Sequence, residues 1–206
     1  MVLVEVDGNF IDAELMEKNR RINDKAYLAL WKQLTASGMV KPITHLLDNE
    51  ASEEFKAEIR KKCSIQLVPP DNHQQNLAER AIQTFKNHFK AILAGVDDSF
   101  LMRLWDKLLP QTILTLNLLC QSNVAPTVSA WQYIHGPFDY NKMPLALMGC
   151  AFQIHKSSEQ QGAWAANTID GWYLQTSPGH YQCHQICVKK TKVKGYQVQY
   201  FSNTDT

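Results

Sequence analysis

The spacing of apolar residues changes several times along the chain, and each change marks an element. Val2-Leu3-Val4-Glu5-Val6 and the run Phe10 to Leu15 flank Asp7-Gly8-Asn9, which predicts a β-hairpin closed by a glycine-containing turn. From a cap at Asn23 or Asp24, residues Tyr27, Leu30, Trp31 and Leu34 recur at helical spacing until Ser37-Gly38, so one face of this helix packs on a sheet. A short strand over Thr44 to Leu47 ends at Asp48. Ser52-Glu53-Glu54 opens a second helix with acids at its positive end and Arg60-Lys61-Lys62 at its negative end, and Ser64 to Val68 returns as a strand. Pro69-Pro70-Asp71-Asn72-His73 excludes regular structure and leads into a helix over roughly Asn76 to Leu93, whose buried stripe is Ala78, Ile82, Phe85, Phe89, Ile92 and Leu93. An apolar helix over about Ser99 to Cys120 carries a break or kink at Pro110. Beyond Met148 the pattern shortens to alternating runs, Ala151 to His155, Trp172 to Leu174, Tyr181 to Val188 and Tyr196 to Phe201.

That order predicts an α/β fold, a mixed sheet covered by helices and followed by a small β-rich module. The net charge of +1 gives no globally positive field, so any nucleic-acid affinity must come from local clusters. No apolar run is long enough to span a bilayer and no secretory signal opens the chain, which predicts an intracellular protein without a membrane partner. The odd set Cys63, Cys120, Cys150, Cys183 and Cys187 reads as reduced thiols. His180, Cys183, His184 and Cys187 are close in sequence, but alternation along a strand turns them to different faces and argues against zinc. No glycine-rich phosphate loop and no Gly-x-Ser-x-Gly elbow is present, which excludes the usual nucleotide and serine hydrolases. Trp105, Trp131 and Trp172 are expected in the core.

The candidate chemistry is a pair of carboxylates. Asp48 closes a strand, and Glu79 stands at the start of a helix on which Gln83, Lys86 and Lys90 continue the same line. Phosphoryl-transfer enzymes that use two divalent cations draw acidic ligands from separate elements and place cationic side chains along the nucleic-acid backbone. Glu50 and Asp71 read as surface acids, and Lys189-Lys190, Lys192 and Lys194 as either a solvated strand end or a further backbone contact.

Leu46-Leu47-Asp48-Asn49-Glu50, then Pro69-Pro70, then Asn76-Leu77-Ala78-Glu79-Arg80 resembles the second and third acidic motifs of retroelement integrases. Val2 to Leu15 is similar to the second and third strands of that core. Ala125-Pro126-Thr127 with Trp131, Leu147-Met148-Gly149-Cys150 and Gly171-Trp172-Tyr173 resemble the tail of the copia-type LTR-retrotransposon integrases. The resemblance implies a ribonuclease-H-like core over 1–135, lacking its first strand, and a small β-rich C-terminal module over 136–206. It implies that Asp48 and Glu79 are two members of an Asp, Asp, Glu triad holding two Mg²⁺ or Mn²⁺ ions in the full-length protein. Arg80, Gln83, Lys86 and Lys90 would bind DNA, with homo-oligomerisation and a nuclear location.

Against that pattern the spacing from Asp48 to Glu79 is short, the upstream His-His-Cys-Cys module is missing, and the first aspartate belongs on a strand before Met1. In the family that strand lies between the Val2 and Asp48 strands, so its loss would expose two inner edges and leave this fragment inactive alone. Asp7 lies too far along its strand to replace the aspartate, and is expected to cap the turn. The alternatives are a ribonuclease H, which needs further acids, and a non-catalytic DNA-binding remnant.

Overall fold

In the computed structural model, which describes residues 1–16, 23–36, 42–47, 51–68, 77–156, 164, 166–189 and 196–202, Val2–Glu5 (β1) and Phe10–Ala13 (β2) pair antiparallel with Val4 opposite Ile11. The turn between them is held by Glu5, not Asp7. The Glu5 carboxylate accepts from the backbone N–H groups of Asp7 at 2.9 Å and Gly8 at 2.5 Å, because a side chain that precedes the turn can curl over both donors. Asn9 takes the left-handed conformation, with φ 55°. A Cβ on Gly8 would come within 2.6 Å of the Tyr133 ring and 2.7 Å of the Glu5 carboxylate, so a larger residue would have to push these side chains aside.

Two compact units divide the chain, Met1–Lys86 with Thr115–Pro137, and Asn87–Leu114 with Phe138–Thr206. The first unit contains the hairpin, helix α1 (Asn23–Ala36), strand β3 (Thr44–Leu47), helix α2 (Glu53–Arg60) and strand β4 (Ser64–Leu67). Helix α3 (Leu77–Ala94) and helix α4 (Leu109–Leu119) each belong partly to it, and helix α5 (Ala130–His135) belongs wholly. Ser52 caps α2 by accepting from Phe55 N–H at 3.3 Å, and Glu53 and Glu54 occupy its first turn. β3 and β4 run parallel with Thr44 opposite Ser64. The expected mixed sheet is divided: among the described residues one antiparallel pair and one parallel pair stand as separate two-stranded sheets.

Tyr27 of α1 is fully buried and meets His45 and Phe55 edge-on, at ring-centroid distances of 5.6 and 5.4 Å. Burial pushes the Tyr27 hydroxyl well above its ordinary value and holds His45 below its own. The Lys62 ammonium lies 5.7 and 5.3 Å from the centroids of Tyr27 and Trp31. Phe10, Leu34 and Ala130 form a second cluster with Leu3, Trp131 and Ile134.

The second unit is an antiparallel meander of β5 (Ala151–His155), β6 (Thr168–Thr176), β7 (Cys183–Lys189) and β8 (Tyr196–Ser202). β6 is three times the length expected from Trp172 to Leu174 because it continues through polar positions whose backbone still pairs. One face packs Leu174 and Cys187 against Phe100, Leu108 and Met148. Gly171 lets β7 approach, since a Cβ there would lie 2.7 Å from the Cys187 carbonyl. Gln111 joins three segments of this unit. Its Nε2 donates to Ala146 C=O at 2.9 Å, while its Oε1 accepts from Tyr173 Oη at 2.7 Å and Thr176 N–H at 2.8 Å. Tyr173 is pushed up to about 12 by burial.

Three local expectations change. Pro110 does not kink a long helix but sits at the start of α4, after a 3₁₀ segment at Met102–Leu108, where its missing N–H costs nothing. On α3 the buried alanine is Ala81, and Ala78 is exposed. Trp105 is 40% exposed and lies tilted against Phe89, with ring centroids 6.0 Å apart, while Trp131 and Trp172 are half-buried. Among the described residues no helix is long and apolar enough to cross a membrane.

Candidate nucleic-acid interface

The carboxyl ends of β3 and β4 lie side by side, with Val68 N–H donating to Leu47 C=O at 2.9 Å. Such ends of parallel strands are where α/β folds place ligands. Asp48 follows β3 directly but, like Glu50 and Asp71, lies outside the described residues. From the end of β4 the chain passes through 69–76 and enters α3 at Leu77.

α3 is amphipathic over eighteen residues, and its two sides differ. Glu79 occupies the first turn, at the positive end of the helix dipole. Glu79, Gln83, Lys86 and Lys90 are all exposed, and at about 100° per residue they fall within an arc of about 60°. Ala81 and Phe85 are buried on the opposite side. The carboxamide and the two ammonium groups along that edge can meet a chain of phosphates. His88 is half-buried, and burial holds it below its ordinary value, so it adds no charge at neutral pH.

Arg80 leaves that line. It turns with Leu77, Ala81 and Thr84, one helical stripe at i, i+3, i+4 and i+7, to line a cleft of about 260 Å³ against Val4 and Ile11 of the hairpin. The residues read together in the sequence therefore separate into a row of Glu79, Gln83, Lys86 and Lys90 and, on the cleft wall, Arg80, which is exposed as well.

Among the described residues no three His, Cys, Asp or Glu side chains gather as a metal-ligating group. Near β7, His180 is exposed, Cys183 is half-buried, His184 lies edge-on to Tyr173 at 5.3 Å, and Cys187 is in the core.

Four structural residues escaped the sequence reading. Glu5 clamps the turn and Gln111 joins three segments, as described above. Asn117 acts as a peptide mimic on the outer edge of β2: its Oδ1 accepts from Ile11 N–H at 2.8 Å and its Nδ2 donates to Ile11 C=O at 2.7 Å. Asp12 is 6% exposed, and burial raises its carboxyl to about 6; the Ala13 N–H bond opposes that rise and Glu14 adds to it. A lone carboxamide in the apolar run Leu116-Asn117-Leu118 is a sequence signal for such a role, but its partner is 106 positions away.

No protein-family model and no curated protein matches the chain. Among solved structures, it is similar to a chain in the cryo-EM structure of the simian T-cell lymphotropic virus intasome in complex with PP2A regulatory subunit B56 gamma. The identity is 14%, the TM-score is 0.50, and the match covers 98% of this chain and 68% of that one. The likeness spans both compact units and gives the chain an integrase-like α/β fold.

Proposed function

We propose that the chain is the core of a copia-type retrotransposon integrase, with 1–135 as a ribonuclease-H-like core and 136–206 as its β-rich module. The parent protein would process the 3′ ends of the element's DNA and join them to target DNA, as a homo-oligomer. The reading rests chiefly on the exposed row on α3, with Glu79 in the first turn and Lys86 and Lys90 on the same edge. Lys86 and Lys90 hold successive phosphates, and Gln83 donates to the backbone between them.

Asp48 and Glu79 supply hard carboxylate oxygens, the donor type that Mg²⁺ and Mn²⁺ accept. Bound there, the ions would activate the attacking hydroxyl and stabilise the leaving oxygen. Glu79 contributes its ligand from a rigid helix, which fixes the oxygen's direction. Arg80, exposed as well but on the cleft side of the helix, would reach the DNA backbone from beside that row.

The test separates an integrase from a DNA-binding module on the same helix. Mn²⁺ binding, followed by its electron spin resonance signal, should weaken on Asp48→Asn and on Glu79→Gln while DNA affinity is kept. Lys86→Ala should weaken binding of a labelled duplex and lower the salt slope by about one. DNA binding lost on Lys86→Ala, with Mn²⁺ binding absent or indifferent to both carboxylates, would leave only the non-catalytic DNA-binding alternative.

A further inference from the structure

Trp105 is a large apolar side chain that the core of the second unit does not use. Its neighbours Leu104 and Leu108 pack into the cluster with Phe100 and Met148. Trp172 meets Phe100 edge-on at 6.2 Å, and its ring N–H donates to Ser99 Oγ at 3.1 Å. Among the described residues Phe89 of α3 is the one ring against Trp105, and the Trp105 N–H meets no acceptor. Much of the ring is exposed. At three residues per turn, the 3₁₀ segment puts the exposed Met102 on the same line one turn earlier. Arg103 and Lys107, two positions before and after Trp105, fall on the two sides of that line, about 8 Å apart along the axis. Both are exposed, as is Lys90, which follows Phe89 on α3 and ends the row described above. The acid among them, Asp106, is half-buried and pairs with Lys107 at 2.9 Å. All of these residues belong to the second unit.

An open aromatic face takes a flat apolar group, and cations on both sides of it select one that is strung between anions. We propose that Trp105 stacks a base of an unpaired nucleic-acid strand, with Arg103, Lys107 and Lys90 holding the phosphates beside it. The inference rests on the nucleic-acid reading above and names the form of nucleic acid that this end of α3 takes. A duplex does not fit the ring, because its bases stack on one another and present only their edges in the grooves. An unpaired strand can turn a base face to the indole, and its phosphates then pass on the two sides where Arg103 and Lys107 stand. The pair between Lys107 and Asp106 is solvated on the lysine side, so a phosphate can replace the carboxylate at little cost. A contact between two copies through this same face would bring their cations together, which disfavours it.

The probe is a short fluorescein-labelled oligothymidylate, titrated with the full chain and followed by anisotropy. Saturable binding is expected, and an abasic strand of the same length, with phosphates but no bases, should bind about tenfold more weakly. Trp105→Ala should cost the same factor for oligothymidylate, cost nothing for the abasic strand or for a duplex, and leave the salt slope unchanged. Trp105→Phe should retain most of the affinity, and Lys107→Ala should lower the single-strand salt slope by about 0.7. If Trp105→Ala fails to fold, the abasic comparison, made on the unaltered chain, still decides. Equal affinity for the two strands, or oligothymidylate binding indifferent to Trp105→Ala, would overturn the inference while duplex binding that depends on Lys86 keeps the reading it rests on. Failure to bind either oligothymidylate or duplex would overturn both. Self-association abolished by Trp105→Ala, without strand binding, would overturn the inference in favour of a contact between copies.

Discussion

The two compact units solve the same problem, how to satisfy the backbone of a small sheet, in different ways. In the second unit four strands pair in sequence, and β6, with nine residues, has a backbone partner on both sides. Among the described residues of the first, every strand has four residues and one backbone partner, and side chains supply part of what further strands would give. Asn117 binds Ile11, Asn123 binds Val6, and Glu5 binds the turn. A ladder distributes its bonds over many residues, whereas a clip concentrates them in one carboxamide. The first unit should thus be vulnerable to single polar substitutions and the second to apolar ones.

Leu174→Ala tests the second half of that contrast and should have the largest effect. Leu174 is 1% exposed in the core with Phe100 and Leu108, and the cavity should cost about 4 kcal/mol by denaturant unfolding. A loss under about 1 kcal/mol would mean that the ladder and Gln111, and not the apolar core, hold the unit. Asn117→Ala should follow, at about 3 kcal/mol, because it leaves a buried N–H and a buried C=O at Ile11 without partners. Exchange protection should fall at Ile11 and remain at Ile186. Equal loss at both would remove the distinction between the units.

The smallest effect is a gain. Burial raises the Asp12 carboxyl to about 6 from an ordinary 3.8, so the charged form is penalised in the folded state. The penalty is absent below about pH 4, sets in as the pH rises to about 6, and is full above that. Asp12→Asn, which keeps an oxygen for Ala13 N–H, should stabilise the protein by about 2 kcal/mol at pH 7.5. The gain should vanish near pH 4. A gain that does not depend on pH would show that packing, and not charge, is what the substitution changes.

The elements that the sequence makes legible are those set by local rules. The hairpin, α2 with its Ser52 cap, and the long helix α3 follow from turn residues, capping and periodicity within a few positions. The exposed row Glu79, Gln83, Lys86 and Lys90 is likewise a local property, fixed once the helix is. What stayed hidden depends on distant partners. Ala78 and Ala81 are equivalent by composition, and only tertiary packing buries the second. Pro110 fits a helix start as well as a kink, and the preceding 3₁₀ segment decides between them. Glu5 and Asp7 both fit a turn-capping role, but the longer side chain reaches both N–H groups. Nothing near Arg80 in sequence reveals the hairpin residues that share its cleft, more than seventy positions upstream for Val4.

One irregularity in β6 adds a residue to the strand without shifting the pairing that follows. Up to Tyr173, which faces Ile186, the ladder with β7 is regular; it resumes with Gln175 facing Gln185, so Leu174 is an inserted residue. Tyr173 and Leu174 are both buried, although neighbours in a regular strand face opposite ways. Removing Leu174 would leave Gln175 opposite Gln185 and Thr176 opposite His184, as they are now, and would take away the bulge with its buried side chain. At this point the extra residue lets two successive side chains face inward: a one-residue deletion at Leu174 would empty one place in the core while the pairing with β7 stayed in register.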